Sequence, residues 1–323
     1  VSIWVWAGTK NRVFKEMLQL HWKQWGLGEV IFLGAFFAFL VIRMMNPDLW
    51  HPWRGGEKFM ELAYLSATFK SAFMPPYDPW FAGGYLNYYY FGYFFIACLA
   101  KAVFISPSLA FNLAIPLIFA LIVSNSYSLG YNLAAIGDQN WHEDLHKIRK
   151  RYVSSGIFTA LLVAVLANLD GVIQLYERFR YRFFEGGGWS GFDYWRSSRL
   201  MPPDPPGHEI TEFPYWSLLF GDLHAHVMSI PFGLLVLGLL LTIFVRGISL
   251  SFKSLAIYGF LALSCGALWP LNAWDFPTYV ALIIGVLGFV SIRDHRLEKS
   301  GLIRSAIIAI GVTSLSVILY LPF

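Results

Sequence analysis

The chain has 323 residues, of which 57% are hydrophobic and only 14% charged, with a formal net charge of +4. Its mean hydropathy is +0.53. A soluble domain carries about 45–50% apolar and about 25% charged residues, so the composition excludes a soluble globular protein and predicts an all-α, polytopic membrane protein. Aromatic residues reach 18%, as expected where many helix ends lie at headgroup level. The basic residues form no nucleic-acid footprint. Cys98 and Cys265 both lie in apolar runs and predict neither a disulfide framework nor a metal knuckle.

Residues 1–26 read as a cytoplasmic or preceding segment, with the apolar stretch 1–9 as the tail of an earlier helix. The chain starts at Val1 and ends at Leu321-Pro322-Phe323 straight out of an apolar run, so it reads as a piece of a longer protein. A crossing needs about 20 mostly apolar residues. Within a transmembrane domain of residues 27–323 the candidates are Leu27–Met45, Leu109–Ala135, Val153–Leu175, His226–Val245, Ser254–Trp269, Pro277–Ile292 and Leu302–Leu321. Tyr88–Phe104 is an eighth apolar stretch. If it lies on or dips into the outer face without crossing, every basic connection falls on one side. The inner side then holds 14 Lys and Arg against 7 Asp and Glu, and the outer side 10 against 13. That split follows the positive-inside rule. It predicts about seven crossings, a cytoplasmic N-terminus, and outer loops at 46–108, 176–225 and 270–276 in a multi-pass protein of the cell membrane.

Function is expected in those outer loops, because loops on a rigid scaffold carry sites. In the first, Glu57 and Glu61 are four apart and share one face of a helix. Such a pair suits a general base, or a metal or acceptor site; a solvated face with Arg54 and Lys58 as partners is the alternative. Pro75-Pro76-Tyr77-Asp78-Pro79-Trp80 is too rich in proline for a helix and holds Asp78 and Trp80 on a stiff segment, as ligand contacts or as a linker. Asn87-Tyr88-Tyr89-Tyr90 is either an interfacial anchor or a wall for a sugar-like substrate.

The second loop carries Arg178, Arg180, Arg182, Arg196 and Arg199. Guanidinium forks suit phosphate; pairing with Glu177, Glu185 and Asp193, or with lipid headgroups, is the other reading. Gly221-Asp222-Leu223-His224-Ala225-His226 is the most metal-like cluster. In an extended strand Asp222, His224 and His226 point one way, a donor set for zinc, manganese or iron. On a helix Asp222 would instead be an N-cap. In the third loop, Asp275 beside the membrane is costly unless paired or wet; it is a substrate-site candidate or a helix cap.

Taken together, Gly56-Glu57-Lys58-Phe59-Met60-Glu61, the 75–80 segment, Tyr88-Tyr89-Tyr90, Ser198-Arg199, Thr211-Glu212-Phe213-Pro214, Gly221–His226 and Trp274-Asp275-Phe276-Pro277 resemble the bacterial and archaeal "YYY" integral membrane protein family. The likeness runs from about Glu29 to the C-terminus. The layout is also distantly similar to membrane glycosyltransferases of the GT-C fold. Those enzymes carry an acidic residue in a long first outer loop, then a Pro-Pro segment and a juxtamembrane helix. The resemblance implies sugar transfer from a polyprenyl-phosphate donor, with Glu57 in the acidic place and Glu61 or Asp78 as substitutes. It also implies Trp80, Asn87, Tyr88, Tyr89, Tyr90, Arg196, Arg199 and Asp275 around the substrate. A divalent metal (magnesium, manganese or zinc) would sit on Asp222, His224 and His226. A transporter or flippase, or a non-catalytic assembly subunit, is the competing class.

Overall fold

The computed structural model describes residues 12–51, 56–138, 150–166, 169–188, 191–193, 195–199, 211–295 and 298–323, with residues 12–21 and 295 by backbone alone. The apolar residues 1–9, Arg54, the basic residues 146–149 and the proline-rich stretch 201–206 lie outside them. Among the described residues the protein is all-α, with one isolated bridge between Tyr77 and Tyr85.

Six helices are long and apolar enough to cross a membrane. They are α1 (Arg12–Met45), α4 (Pro107–Ile136), α8 (Ala225–Arg246), α9 (Phe252–Leu271), α10 (Asp275–His295) and α11 (Lys299–Tyr320). Their starts follow local chemistry. Ser106 and Ser251 cap α4 and α9 by accepting from the Leu109 and Ser254 amides, and Pro107 opens α4 where no amide partner is needed.

The predicted crossing Val153–Leu175 is not one straight rod. It is α5 (Lys150–Leu161), continued by a π turn over Leu162–Leu166, and then α6 (Asp170–Phe184), and the two parts meet at 82°. Lys150–Leu166 alone spans about 26 Å at 1.5 Å per residue. The basic, aromatic α6 then turns aside, with Arg178, Arg180 and Arg182 among Phe179, Phe183 and Phe184. Counting the bent pair as one span gives seven crossings.

The Tyr88–Phe104 stretch yields only the 12-residue α3 (Phe91–Ala102). Twelve residues reach about 18 Å, short of the roughly 30 Å hydrocarbon core. The short α2 (Lys58–Lys70) and α7 (Pro214–Phe220) lie at the same end of the bundle as α3. This end gathers the long connections; the other carries the short, basic ones.

Two apolar clusters hold the bundle. One joins α2, α3, α4 and α8 through Leu65, Tyr93, Phe111, Ile115, Leu223 and Val227. The other joins α8, α9, α10 and α11 through Val236, Leu261, Leu268, Ile283, Leu287 and Val312. α4 and α5 approach so closely that a Cβ on Gly156 would stand 2.6 Å from the Tyr127 ring and 2.8 Å from its carbonyl oxygen. Small residues at such crossings let membrane helices pack backbone to backbone. Towards the end with short connections, α1, α4 and α8 enclose a cavity of about 960 Å³ lined in part by Ser124, Asn125, Ser128, Asn132 and Arg246.

Gly156→Val is expected to cost about 1–3 kcal/mol by overpacking. Gly259→Val, where nothing lies within 4 Å of the added Cβ, is the comparison, and thermal unfolding in detergent measures both. Equal loss in the two would remove the close-packing account. For topology, single cysteines at Ala82 and Leu250, in a background with Cys98 and Cys265 replaced by Ala, are expected to label from opposite sides of the membrane. Ala82 should label from outside; labelling of both from one side would break the seven-crossing arrangement.

Candidate functional site

The site is built where α2 meets the turn between α7 and α8. On α2 the buried residues are Lys58, Glu61, Tyr64, Leu65 and Thr68, one face of the helix. Two of the five are charged, at positions where leucine would pack at lower cost. Lys58 lies over the Phe220 ring, 4.7 Å from its centroid, which returns part of the solvation it loses. Burial holds its ammonium below the usual lysine range, against the opposing pull of Asp222.

Glu61 is 1% exposed. Its Oε2 accepts from the Leu223 amide at 2.7 Å, while Oε1 has no hydrogen-bond partner. The Leu223 carbonyl accepts from the Tyr93 hydroxyl at 3.2 Å. The peptide groups on both sides of Leu223 are therefore gripped, one by α2 and one by α3.

Gly221 ends α7 in the left-handed conformation at φ +84°, which glycine adopts without strain. Asp222 to His224 are not helical, and α8 starts at Ala225 with His224 in the capping position. The segment is thus extended at His224 and helical at His226. Asp222 does not cap the helix. Gly56, at φ +59°, lets the start of α2 press on α7; a Cβ there would stand 2.2 Å from the Phe220 ring.

His224 is the hub. Its Nδ1 lies 3.7 Å from Glu61 Oε1 and 3.8 Å from Glu57 Oε2, and its Nε2 lies 3.4 Å from Asp222 Oδ2 and 3.7 Å from Glu212 Oε2. The His226 ring stacks on it at 5.5 Å, and His226 Nε2 is 3.5 Å from the same Glu212 oxygen. Burial pushes the Glu61 carboxyl up and the Asp222 charge adds to this; His224 and the Leu223 amide pull back, leaving it near about 8. Burial also works against a proton on His224. The hydrogen bond with Asp222 and the Glu61 and Glu212 charges outweigh it and raise that imidazole to about 9. Glu212 is raised, first by burial and then by Asp222 and Glu57, against His224 and Arg199.

The predicted catalytic pair is thus brought together, in unlike settings. Glu57, just before α2, is half-exposed, and Glu61 is sealed. Asp78 holds its own loop: its Oδ1 accepts from the Trp80 amide at 2.8 Å and its amide donates to the Gly84 carbonyl. Trp80 packs edge-on against Phe59. Tyr88 touches Tyr64 and Tyr89; burial, then the Glu57 and Glu61 charges, push its phenol up to about 12. Asn87, Tyr88, Tyr89 and Tyr90 line a cleft of about 460 Å³ with Trp269 and Tyr320.

Arg199 is exposed, over the Trp195 ring at 5.2 Å, and its charge reaches Glu212. Arg196 is engaged in ion pairs with Asp170 and Glu177 at 2.9 and 2.7 Å, and Arg180 with Glu185. Asp275 accepts from Ser229 and so ties α10 to α8.

Two contributors, Glu212 and Arg43, were not among the predicted site residues. Glu212 reaches both histidines. Arg43, at the end of α1, is 5% exposed and donates to Asn112 Oδ1 at 2.7 Å and to the Asn46 and Asp48 carbonyls. It also packs against Gly221, within electrostatic reach of Asp222. An arginine at a helix end beside a membrane reads as an interfacial residue, so only the fold marks it as part of the site.

The bundle of long apolar helices, with a charged, half-buried cluster among the described residues of its long connections, defines a polytopic helical membrane protein. The chain belongs to the uncharacterized membrane protein family DUF2298, whose profile matches residues 1–323. No curated protein and no solved structure matches it.

Arg43→Met is expected to destabilise the protein by about 1.5–3 kcal/mol, the range for a hydrogen bond made by a charged group, read as a lower unfolding temperature in detergent. Wild-type stability in that variant would show that the Gly221-Asp222 turn does not depend on Arg43.

Proposed function

We propose that the charged end of the bundle is the active site of a glycosyltransferase acting on the outer face of the cell membrane, with a polyprenyl-phosphate sugar as donor. The likeness to the YYY family and to the GT-C layout belongs to this proposal. The observation that carries it is the setting of Glu57: a half-exposed carboxylate, backed by His224 and the sealed Glu61, whose charge acts on Tyr88, and Tyr88 with Tyr90 and Trp269 lines an aromatic cleft. In the reaction the acceptor oxygen bonds to the sugar C1 as the C1–O bond to the lipid phosphate breaks. The acceptor proton passes to Glu57, and the phosphate leaves with the bonding electrons. Aromatic rings offer flat apolar walls for a sugar or a prenyl chain. Arg199 is the described guanidinium of that loop best placed for the departing phosphate, since Arg196 is held by two carboxylates.

The test is transfer of radiolabelled hexose from polyprenyl-phosphate hexose by the purified protein in native lipid. Glu57→Gln keeps the shape and is expected to lower turnover by about 10²–10⁴-fold, the scale of general-base removal. Full turnover in Glu57→Gln, with loss in Asp78→Asn, would move the base to Asp78. No transfer by the wild type across donor sugars would end the reading.

The 960 Å³ cavity favours a second reading, passage of a lipid headgroup across the membrane. The polar groups at Ser124, Asn125, Ser128 and Asn132 form a stripe along α4 facing α1 and α8, and transporters place polar residues within the membrane. A lipid-flip assay in proteoliposomes with Asn125→Leu/Asn132→Leu separates the readings: flipping by the wild type and its loss in this variant supports transport.

A further inference from the structure

We propose that Glu212, His224 and His226 form a binding site for one divalent transition-metal ion of the zinc class. Their donor atoms all lie within 4.8 Å of one another. Glu212 Oε2 stands 3.5 Å from His226 Nε2 and 3.7 Å from His224 Nε2. A tetrahedral ion bound at about 2.0–2.1 Å keeps its donors about 3.4 Å apart, so Glu212 Oε2 already stands near coordination-shell spacing from each imidazole nitrogen.

Three further observations point to an ion. First, His226 Nε2 is buried and makes no hydrogen bond, a costly state for an imidazole nitrogen unless something else occupies its lone pair. Second, the far side of His224 is arranged as a metal-bound histidine requires. Its Nδ1 faces Glu61 and Glu57 while Nε2 faces Asp222 and Glu212, and ligating histidines commonly present their second nitrogen to a carboxylate. Third, Glu61 and Asp222 are 1% and 2% exposed and each has one carboxylate oxygen without a hydrogen bond, that of Glu61 standing 3.7 Å from His224 Nδ1. A divalent cation supplies charge where buried carboxylates lack it.

The donor set differs from the one expected from the sequence. Asp222 lies near His224 but outside the group of mutually close donors, and Glu212 takes its place. The segment carrying the histidines is fixed by Glu61 and Tyr93 through Leu223. Two imidazoles and a carboxylate suit zinc-class ions better than magnesium or calcium, and three protein ligands leave a position open. That the open position meets a phosphate oxygen rests on the transferase reading; the binding of the ion does not.

Chelator-treated protein in native lipid is titrated with Zn²⁺, followed by metal analysis after desalting. One ion per chain is expected, with affinity reduced by more than about 10-fold in Glu212→Gln and in His226→Asn and unchanged in the distant Glu185→Gln. The wild type is also loaded with Co²⁺, which needs no variant to fold: the intense visible absorption of a four-coordinate N/O site is expected. Less than one retained zinc ion per wild-type chain, unchanged affinity in both ligand variants, or no such absorption overturns the site. Zinc binding without sugar transfer would sink the transferase reading and leave the metal site standing.

Discussion

The Glu61 carboxylate and the Leu223 amide join parts of the chain 162 positions apart, and the polar end of the protein hangs on that bond. Burial excludes water as a competitor, so losing this bond would leave a desolvated amide and a desolvated carboxyl oxygen unpaired. The same burial makes the carboxylate expensive. Leucine at position 61 would pack against Leu65 and Tyr64 at no electrostatic cost. The protein instead seals a titratable group under a pair of histidines, an arrangement for which packing alone offers no reason.

Around this bond the charges are spread over four stretches of chain. α2 supplies Lys58 and Glu61, and the end of α1 supplies Arg43. Glu212 precedes α7, and Asp222, His224 and His226 bridge α7 and α8. Each side chain is fixed by a different neighbour. Phe220 lies under Lys58, Asn112 holds Arg43, and Tyr93 grips the Leu223 carbonyl. Donors held this independently lose little entropy when a ligand arrives, the physical content of preorganisation.

The two ends of the bundle differ in kind. Under the long connections the ionisable groups are concentrated and partly sealed. At the other end, the large cavity is lined mostly by apolar side chains, among which stand the hydroxyls, amides and phenols of Ser124, Asn125, Ser128, Asn132 and Tyr127, together with Glu29 and Arg246. α5 bears on both: it packs against α4 through Gly156 and, beyond the π turn, gives way to α6 at 82°. α6 then holds the arginine-bearing loop through Asp170 and Glu177.

Much of this was legible in the chain. Hydropathy is a local, additive property, so the six long spans follow from runs of residues and the thickness of a bilayer, while Tyr88–Phe104 was set apart by the split of basic and acidic residues between the connections. The spacing of Glu57 and Glu61 was enough to place them on one face, because helical geometry repeats every 3.6 residues. What the chain could not show depends on distances between segments far apart in sequence. The break after Leu166 falls within an apolar stretch that reads as continuous, since hydropathy does not register a change of direction. Arg196 and Arg199 look alike in sequence, yet Asp170 and Glu177 hold the first while the second stays exposed. Glu212 joins His224 and His226 in place of Asp222 because the turn at Gly221 aims those side chains, and a turn's aim acquires meaning only against the helices packed around it.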